Sequence, residues 1–517
     1  MYSRPRHHLV AFLGTLGLLT SQAAGGSGAA TNRHLIWLVA DDLGASDTSF
    51  SGAAWQTPHI DGLREKGSRL ENYYVQSTCS PSRTAFMTGL YPFHTGFQHV
   101  VLWQDQNSTI TSNETTIAEL LLDRGYHTAM IGKYHCGHSR WDEIPLARGF
   151  KQWYGWSGGS SDYYTHFQPA QLLPANETSD HWGLTMFDGW DIDFDAGEKP
   201  TPDWSAVGTH STDLWASKAT TLLDSYDFAA APLFLYLGFQ APHSPVQAPP
   251  VSPEVWAECL ATTPTVDRAT YCAMVKHVDL AVGRVLASLE SRGVWNSGGD
   301  GDAVVVLTTD NGGAWFENQG CNFPLRGGKH NNFQGGVKAL GLIAAAGLVP
   351  ANSSFLGLMH AVDWLPTLLD LTAASSGQPL PAGSPIDGVS VAASMQSGDT
   401  GPRSEIVINI DPLDSWSGAL LAQLPAVIQR DSGTSSSQNH TFKLMFLGEQ
   451  DQSVGWLHCD TMTVEAAPAN STGPLLFDLD VDPWERQDLS RNPDYAVTLS
   501  MIKDLWSAAA ASAVEPK

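Results

Sequence analysis

The sequence predicts an α/β fold, with a large mixed, mostly parallel sheet sandwiched by helices and a smaller C-terminal antiparallel sheet. Three observations predict it. The apolar runs are continuous rather than alternating, as expected of strands buried on both faces of a parallel sheet. They alternate with segments of helical periodicity, the signature of a layered α/β domain. Four of them end in charged or amide residues, and ligands in open α/β sheets gather outside the carboxyl ends of strands.

Taken in chain order, Leu35-Ile36-Trp37-Leu38-Val39 runs as a strand into Asp41-Asp42. In Cys79-Ser80-Pro81-Ser82-Arg83, Pro81 suits the first turn of a helix, where its missing N–H costs nothing. Thr115 or Thr116 caps a helix that carries Ile117, Leu120 and Leu121 and ends near Gly125. His127-Thr128-Ala129-Met130-Ile131 leads to Lys133 and His135, and Leu233-Phe234-Leu235-Tyr236-Leu237 precedes His243. Met274, Val278, Val282, Val285 and Leu289 share one face of a longer helix that stops at Gly293. Ala303-Val304-Val305-Val306-Leu307 runs into Asp310-Asn311. The stretch from Ala373 to Pro385, rich in Ser, Gly, Pro and Ala, reads as a connection. Ile406-Val407-Ile408, Thr441 to Met445 and Leu475 to Leu479 read as C-terminal strands, with a polar loop over 432–438. The expected division is a signal peptide over 1–24, the main α/β domain over 25–400 and an α+β subdomain over 401–517.

Composition narrows the function. The formal net charge of −25 argues against a nucleic-acid partner, which needs basic surface to displace counterions. Arg4 and Arg6, the apolar stretch from Leu9 to Leu19 and Ser21-Gln22-Ala23-Ala24 read as a secretory signal. That stretch falls short of the roughly 20 apolar residues a bilayer span requires, so no membrane anchor is expected. Sequons at Asn107, Asn113, Asn176, Asn352, Asn439 and Asn470 fit passage through the secretory pathway. Six cysteines in an oxidising compartment suggest disulfides, with Cys259 and Cys272 the nearest pair; the other connections stay open.

Asp41, Asp42, Asp310 and Asn311 are oxygen donors that would repel one another unless a cation sat among them. Hard oxygen ligands suit Ca²⁺ or Mg²⁺ rather than zinc. Either pair alone also reads as a strand-end turn. Cys79 falls at a helix N-terminus, which favours an anion, although a buried or disulfide-bonded cysteine fits the local pattern too.

Six segments together carry a resemblance. They are Val39-Ala40-Asp41-Asp42-Leu43-Gly44, the Cys79 motif through Gly89, Gly132-Lys133-Tyr134-His135, Ala241-Pro242-His243, Thr309-Asp310-Asn311-Gly312-Gly313 and Pro324-Leu325-Arg326-Gly327-Gly328-Lys329. In this order and spacing the chain resembles the sulfatase family, with its alkaline phosphatase-like fold, and most closely the arylsulfatase B-like (N-acetylgalactosamine-4-sulfatase-like) group. The resemblance implies that a formylglycine-generating enzyme oxidises Cys79 to formylglycine during secretion. The hydrated aldehyde would attack sulfur through one hydroxyl and release the bound sulfate through the other. It also implies one Ca²⁺ held by Asp41, Asp42, Asp310 and Asn311, with the modified Cys79 completing the shell. Lys133 and Lys329 would contact the sulfate, and Arg83 would hold the modified Cys79. His135 would assist its proton traffic, and His243 would bind or protonate the leaving oxygen. The implied substrate is a sulfated carbohydrate or aryl sulfate, and the implied location is secreted or lysosomal. A phosphate or phosphonate ester hydrolase of the same superfamily and a catalytically silent glycan-binding homologue are the rival readings.

The chain departs from the family pattern in places. Leu90 stands where a basic residue usually helps the modifying enzyme, and Cys136 stands where an apolar residue is usual. Gln334 and Lys338 stand for the usual Glu and Arg, which is expected to alter a supporting ion pair. Trp153-Tyr154-Gly155-Trp156 and Asp162-Tyr163-Tyr164-Thr165-His166 are candidates for stacking on a sugar or aryl ring, or for core packing. His138 and His330 are expected to be wall or surface residues.

Overall fold

The computed structural model describes residues 33–103, 106–169, 182–297, 302–372, 385–411, 426–431, 440–446, 454–467 and 473–517. The expected signal peptide, Asn176, Asn439, Asn470, the 432–438 loop and nearly all of the 373–385 connection lie outside the described residues.

Ten strands make one sheet. Their spatial order is Ser353–His360, Ser68–Tyr74, Gly341–Ala344, Val304–Thr309, Leu35–Ala40, Leu233–Gly238, His127–Lys133, Gln152–Trp156, Phe187–Gly189 and Thr201–Pro202. The five strands from Val304–Thr309 to Gln152–Trp156 run parallel. Antiparallel neighbours flank them on each side, Gly341–Ala344 and Phe187–Gly189, so the sheet is mixed but mostly parallel at its centre.

The unbroken apolar runs have a direct structural meaning. Leu35, Trp37 and Val39 enter one core, whereas Ile36, Leu38 and Ala40 enter the other on the opposite face. The first core is covered by the helices Cys79–Thr88 and Trp364–Thr372, the second by Ser211–Ser225 and Val266–Ser291. Thr116 caps the Ile117–Asp123 helix, accepting from Glu119 N while the Glu119 side chain accepts from Thr116 N.

Four antiparallel strands, Glu405–Asn409, Ala426–Asp431, His440–Phe446 and Pro474–Asp478, form the C-terminal sheet. Its apolar face meets Tyr74, Phe333, Val337 and Leu358 of the main body. Ala426–Asp431 and the outer strands Ser68–Tyr74 and Ser353–His360 escape the sequence reading because they mix polar and apolar residues. Two disulfides form, the expected Cys259–Cys272 and Cys321–Cys459, while Cys79 and Cys136 are free and buried.

Candidate active site

The carboxyl ends of the parallel strands deliver the polar residues to one place. Ala40 and Thr309 are in register on adjacent strands, so Asp41-Asp42 and Asp310-Asn311 emerge side by side. Lys133 ends the third contributing strand. Asp42 and His135 have φ of 61° and 57°, a left-handed backbone that is costly for non-glycine residues and clusters at functional sites. At Gly132 (φ 88°) a Cβ would run into the Gly238 carbonyl, so only glycine lets these strands approach beneath the site. The loop after Asp42 is pinned by Asp47. That carboxylate takes Arg268 Nη2 at 2.5 Å, the Tyr271 hydroxyl at 2.7 Å and Cys321 N at 2.8 Å.

Cys79 is the first residue of its helix, and Arg83 follows one turn later on the same face. Cys79 Sγ donates to Asp41 Oδ1 at 3.4 Å. Arg83 Nε donates to Asp310 Oδ2 at 2.8 Å, and its Nη1 donates to the Lys133 carbonyl at 3.0 Å. Lys133 Nζ lies 2.5 Å from Asp41 Oδ2, and Lys329 Nζ lies 2.9 Å from Asp42 Oδ2. Lys329 Nζ also lies 2.8 Å from His243 Nε2. An ammonium only donates, so Nε2 is the acceptor. The other ring nitrogen, Nδ1, donates to the Ser244 carbonyl at 2.6 Å, which fixes the tautomer. His135 Nε2 donates to the Leu102 carbonyl at 2.9 Å, leaving a buried Nδ1 with no hydrogen-bond partner.

The electrostatics follow from this packing. Burial, with Asp41 adding to it, pushes the Cys79 thiol well above its ordinary range. Burial and then Asp41 push Asp310 up, with Arg83 offsetting part of the rise. For Asp41 burial acts upward, but Lys133, His243 and Arg83 outweigh it and hold the carboxyl below the usual range. Burial opposes the charge on Lys329, yet Asp42 and its other anionic neighbours hold its pKa well up. Burial and the Lys133 charge keep the His135 ring neutral.

Several side chains converge as donors for a metal ion. Asp41, Asp42, Cys79 and His243 each present one atom within 4.8 Å of the others. Asn311 Oδ1, beside them, is buried without a hydrogen-bond partner, although Asn311 Nδ2 donates to Asp42 Oδ1 at 2.6 Å. A bare amide oxygen beside the Asp42 carboxylate adds an oxygen donor to that group.

All the candidates named from the sequence therefore converge: Asp41, Asp42, Cys79, Arg83, Lys133, His135, His243, Asp310, Asn311 and Lys329. Sequence reasoning missed Asp47, Glu317 and Asn318, loop residues whose partners lie elsewhere in the fold. His330 does not lie on the surface; it is buried and bonded to Glu317 at 2.7 Å. Trp153, Tyr154 and Trp156 are buried, so they pack rather than stack on a ligand. Tyr163 is buried too, and its hydroxyl donates to the His243 carbonyl at 2.8 Å. Gln334 lies beside a buried ion pair. Its Oε1 accepts from Lys443 Nζ at 3.5 Å, and that lysine is paired with Glu485 at 2.7 Å in full burial. Asn107, Asn113 and Asn352 are exposed.

The fold and the site define a class: a mixed, mostly parallel α/β sheet with a buried thiol at a helix N-terminus, ringed by strand-end carboxylates and cations. The profile of the family described as Sulfatase matches residues 33–374. The chain belongs to the sulfatase family, whose members are sulfuric ester hydrolases. It is 31% identical over 479 residues to arylsulfatase J of Mus musculus, covering 90% of this chain and 74% of that one. It is 27% identical over 495 residues to N-acetylgalactosamine-6-sulfatase of Homo sapiens, covering 92% and 85%. The solved structure of Ps i-CgsB in complex with k-i-k-neocarrahexaose matches with a TM-score of 0.68 and 23% identity, over 94% of each chain. Among the described residues no helix is long and apolar enough to cross a membrane.

Proposed function

We propose that this protein hydrolyses sulfate monoesters of sulfated carbohydrates through a formylglycine made from Cys79, with one bound Ca²⁺. The observation that carries the reading is the burial of the Cys79 thiol against Asp41, whose other oxygen is held by Lys133. A thiol pushed far above its ordinary range is a poor nucleophile as it stands, which favours a chemical role for its oxidised form. Hydrated, that aldehyde would supply both the attacking hydroxyl and the route by which sulfate leaves. A calcium ion held by Asp41, Asp42, Asp310 and Asn311 would supply charge stabilisation on the sulfate oxygens.

The chain's own groups do the rest. Lys133 and Lys329 offset charge on the sulfonyl oxygens. Arg83, locked by Asp310 and the Lys133 carbonyl, fixes the helix turn that carries residue 79. His135 Nδ1 is a buried, unprotonated acceptor available for a proton from residue 79. His243, whose Nε2 accepts from Lys329 Nζ, would bind or protonate the leaving oxygen.

A sugar substrate is favoured by relatives named for N-acetylgalactosamine sulfate and by the carrageenan-type oligosaccharide held by Ps i-CgsB. We place the protein in the arylsulfatase B-like group, with a catalytic domain to about residue 400, a C-terminal subdomain beyond it, and a secreted or lysosomal location. Mass spectrometry of the peptide bearing Cys79 tests the modification. Turnover of p-nitrophenyl sulfate against p-nitrophenyl phosphate tests the reaction. Cys79→Ala is expected to abolish sulfatase turnover. An intact thiol in every active copy, or dominant phosphatase activity, would overturn the reading.

A further inference from the structure

Lys329 has a third partner besides Asp42 and His243. Its Nζ lies 3.1 Å from Glu317 Oε2, while Glu317 Oε1 accepts from His330 Nε2 at 2.7 Å. The Glu317 carboxylate therefore spans two consecutive residues of the loop that carries the sulfate-contacting lysine. Its own backbone is fixed in the site's frame. Glu317 N and Asn318 N both donate to the Ala314 carbonyl, at 2.9 and 2.7 Å. The Asn318 amide then donates to the Pro242 carbonyl at 2.9 Å and the Asp42 carbonyl at 3.2 Å. On the other side, His330 N donates to the Ser77 carbonyl at 2.8 Å, two residues before Cys79. Glu317 is thus tied to the strand-end loop, to the His243 loop and, through His330, to the nucleophile's approach.

The charge arrangement gives this contact a purpose. Asp42 belongs to the donor group that would hold the proposed metal ion, which would then share its charge. Glu317 has no such claim on it and sits with its side chain 30% exposed at the rim, against 3% for Lys329. It is the anion that stays with Lys329 when Asp42 serves the ion. A flexible four-carbon side chain held by one bond swings; held from two sides it keeps one direction.

We propose that Glu317 is the positioning residue for Lys329. It sets the direction of the ammonium toward the Cys79–His243 side of the pocket, and it acts on the reaction only through that lysine. This rests on the reading of Lys329 as a sulfate-contacting cation, and the test separates the two. Glu317→Ala in the otherwise intact protein is expected to lower kcat/KM for p-nitrophenyl sulfate about 10-fold to 100-fold, the usual cost of losing a charge-assisted hydrogen bond. Glu317→Gln, whose amide oxygen still accepts from Lys329 but which loses the charge and the acceptor for His330, is expected to recover part of that loss. In the Lys329→Ala background the same Glu317→Ala change is expected to cost nothing further. Thermal melting of each variant checks folding, and should Glu317→Ala fail to fold, Glu317→Gln and Glu317→Asp carry the same cycle. An equal loss in both backgrounds, or no loss in the first, overturns the positioning role. Full sulfatase activity in Lys329→Ala alone would instead overturn the sulfate-contact reading.

Discussion

Asn311 shows at the residue scale how a local motif acquires its role. In the sequence it is half of an Asp-Asn-Gly-Gly turn; in the fold its Oδ1 is buried, bare and beside Asp42. Calcium binding to the folded state alone stabilises by mass action, about 2.7 kcal/mol at a hundredfold excess over Kd. Adding Ca²⁺ to chelator-treated protein is therefore expected to raise the melting temperature, and Asn311→Ala to shrink that rise, both readable by calorimetry without any substrate. His34 bears on pH. Its Nδ1 accepts from Leu233 N at 3.0 Å, and burial pushes its pKa down to about 4. The fold favours the neutral ring, so this contribution is complete above pH ~6.5 and is lost as pH falls through the folded value, about 3 kcal/mol by pH 4. His210 shifts in the same direction, to about 3, through burial. A melting-temperature profile should decline between neutrality and pH 4, and His34→Asn should flatten the slope.

Element by element, the parts most legible in the sequence are those where local and global preferences agree. The strand Leu35–Ala40 is apolar on every residue because both faces are buried, and that same continuity announced it. Thr116 was one of two candidate caps; the structure selects it through the reciprocal bonds with Glu119. Thr116→Ala is expected to cost about 1 kcal/mol by chemical denaturation while leaving turnover intact, since a cap is local to its helix. The outer strand Ser68–Tyr74 was not legible. Its Arg69, Glu71 and Asn72 are half-buried, and pairing with Gly341–Ala344 on one side and Ser353–His360 on the other makes it a strand.

For the whole molecule, the C-terminal part holds the catalytic loop. Cys321–Cys459 joins the segment between Asn311 and Lys329 to the C-terminal region. Nearby, Arg326 Nε donates to the Val454 carbonyl at 2.8 Å, and Gly327 N to the Gly455 carbonyl at 3.0 Å. With its cysteines 138 positions apart, this bridge closes a loop worth about 5 kcal/mol in the chain-entropy account, against about 3 for the 13-residue separation of Cys259–Cys272. Cys459→Ser is expected to lower both melting temperature and kcat, because Lys329 sits on the released loop. Cys272→Ser should lower melting temperature alone, as measured by calorimetry beside a p-nitrophenyl sulfate assay.

What the sequence determined by itself is the chemistry and most of its addresses: acids, amide, Lys133 and thiol at the end of an apolar run or the start of a helix, with Lys329 on a motif loop. Strand ends and helix starts are set by local patterning, and a parallel sheet brings the carboxyl ends of its strands to one edge. Only the tertiary structure decided the partnerships. It put Lys133 on Asp41 and Lys329 on Asp42, left Cys79 and Cys136 unpaired, joined Cys321 to Cys459 and set Glu317 against Lys329. Those choices depend on ångström-scale distances between groups far apart along the chain, and a linear pattern of residue types does not encode them.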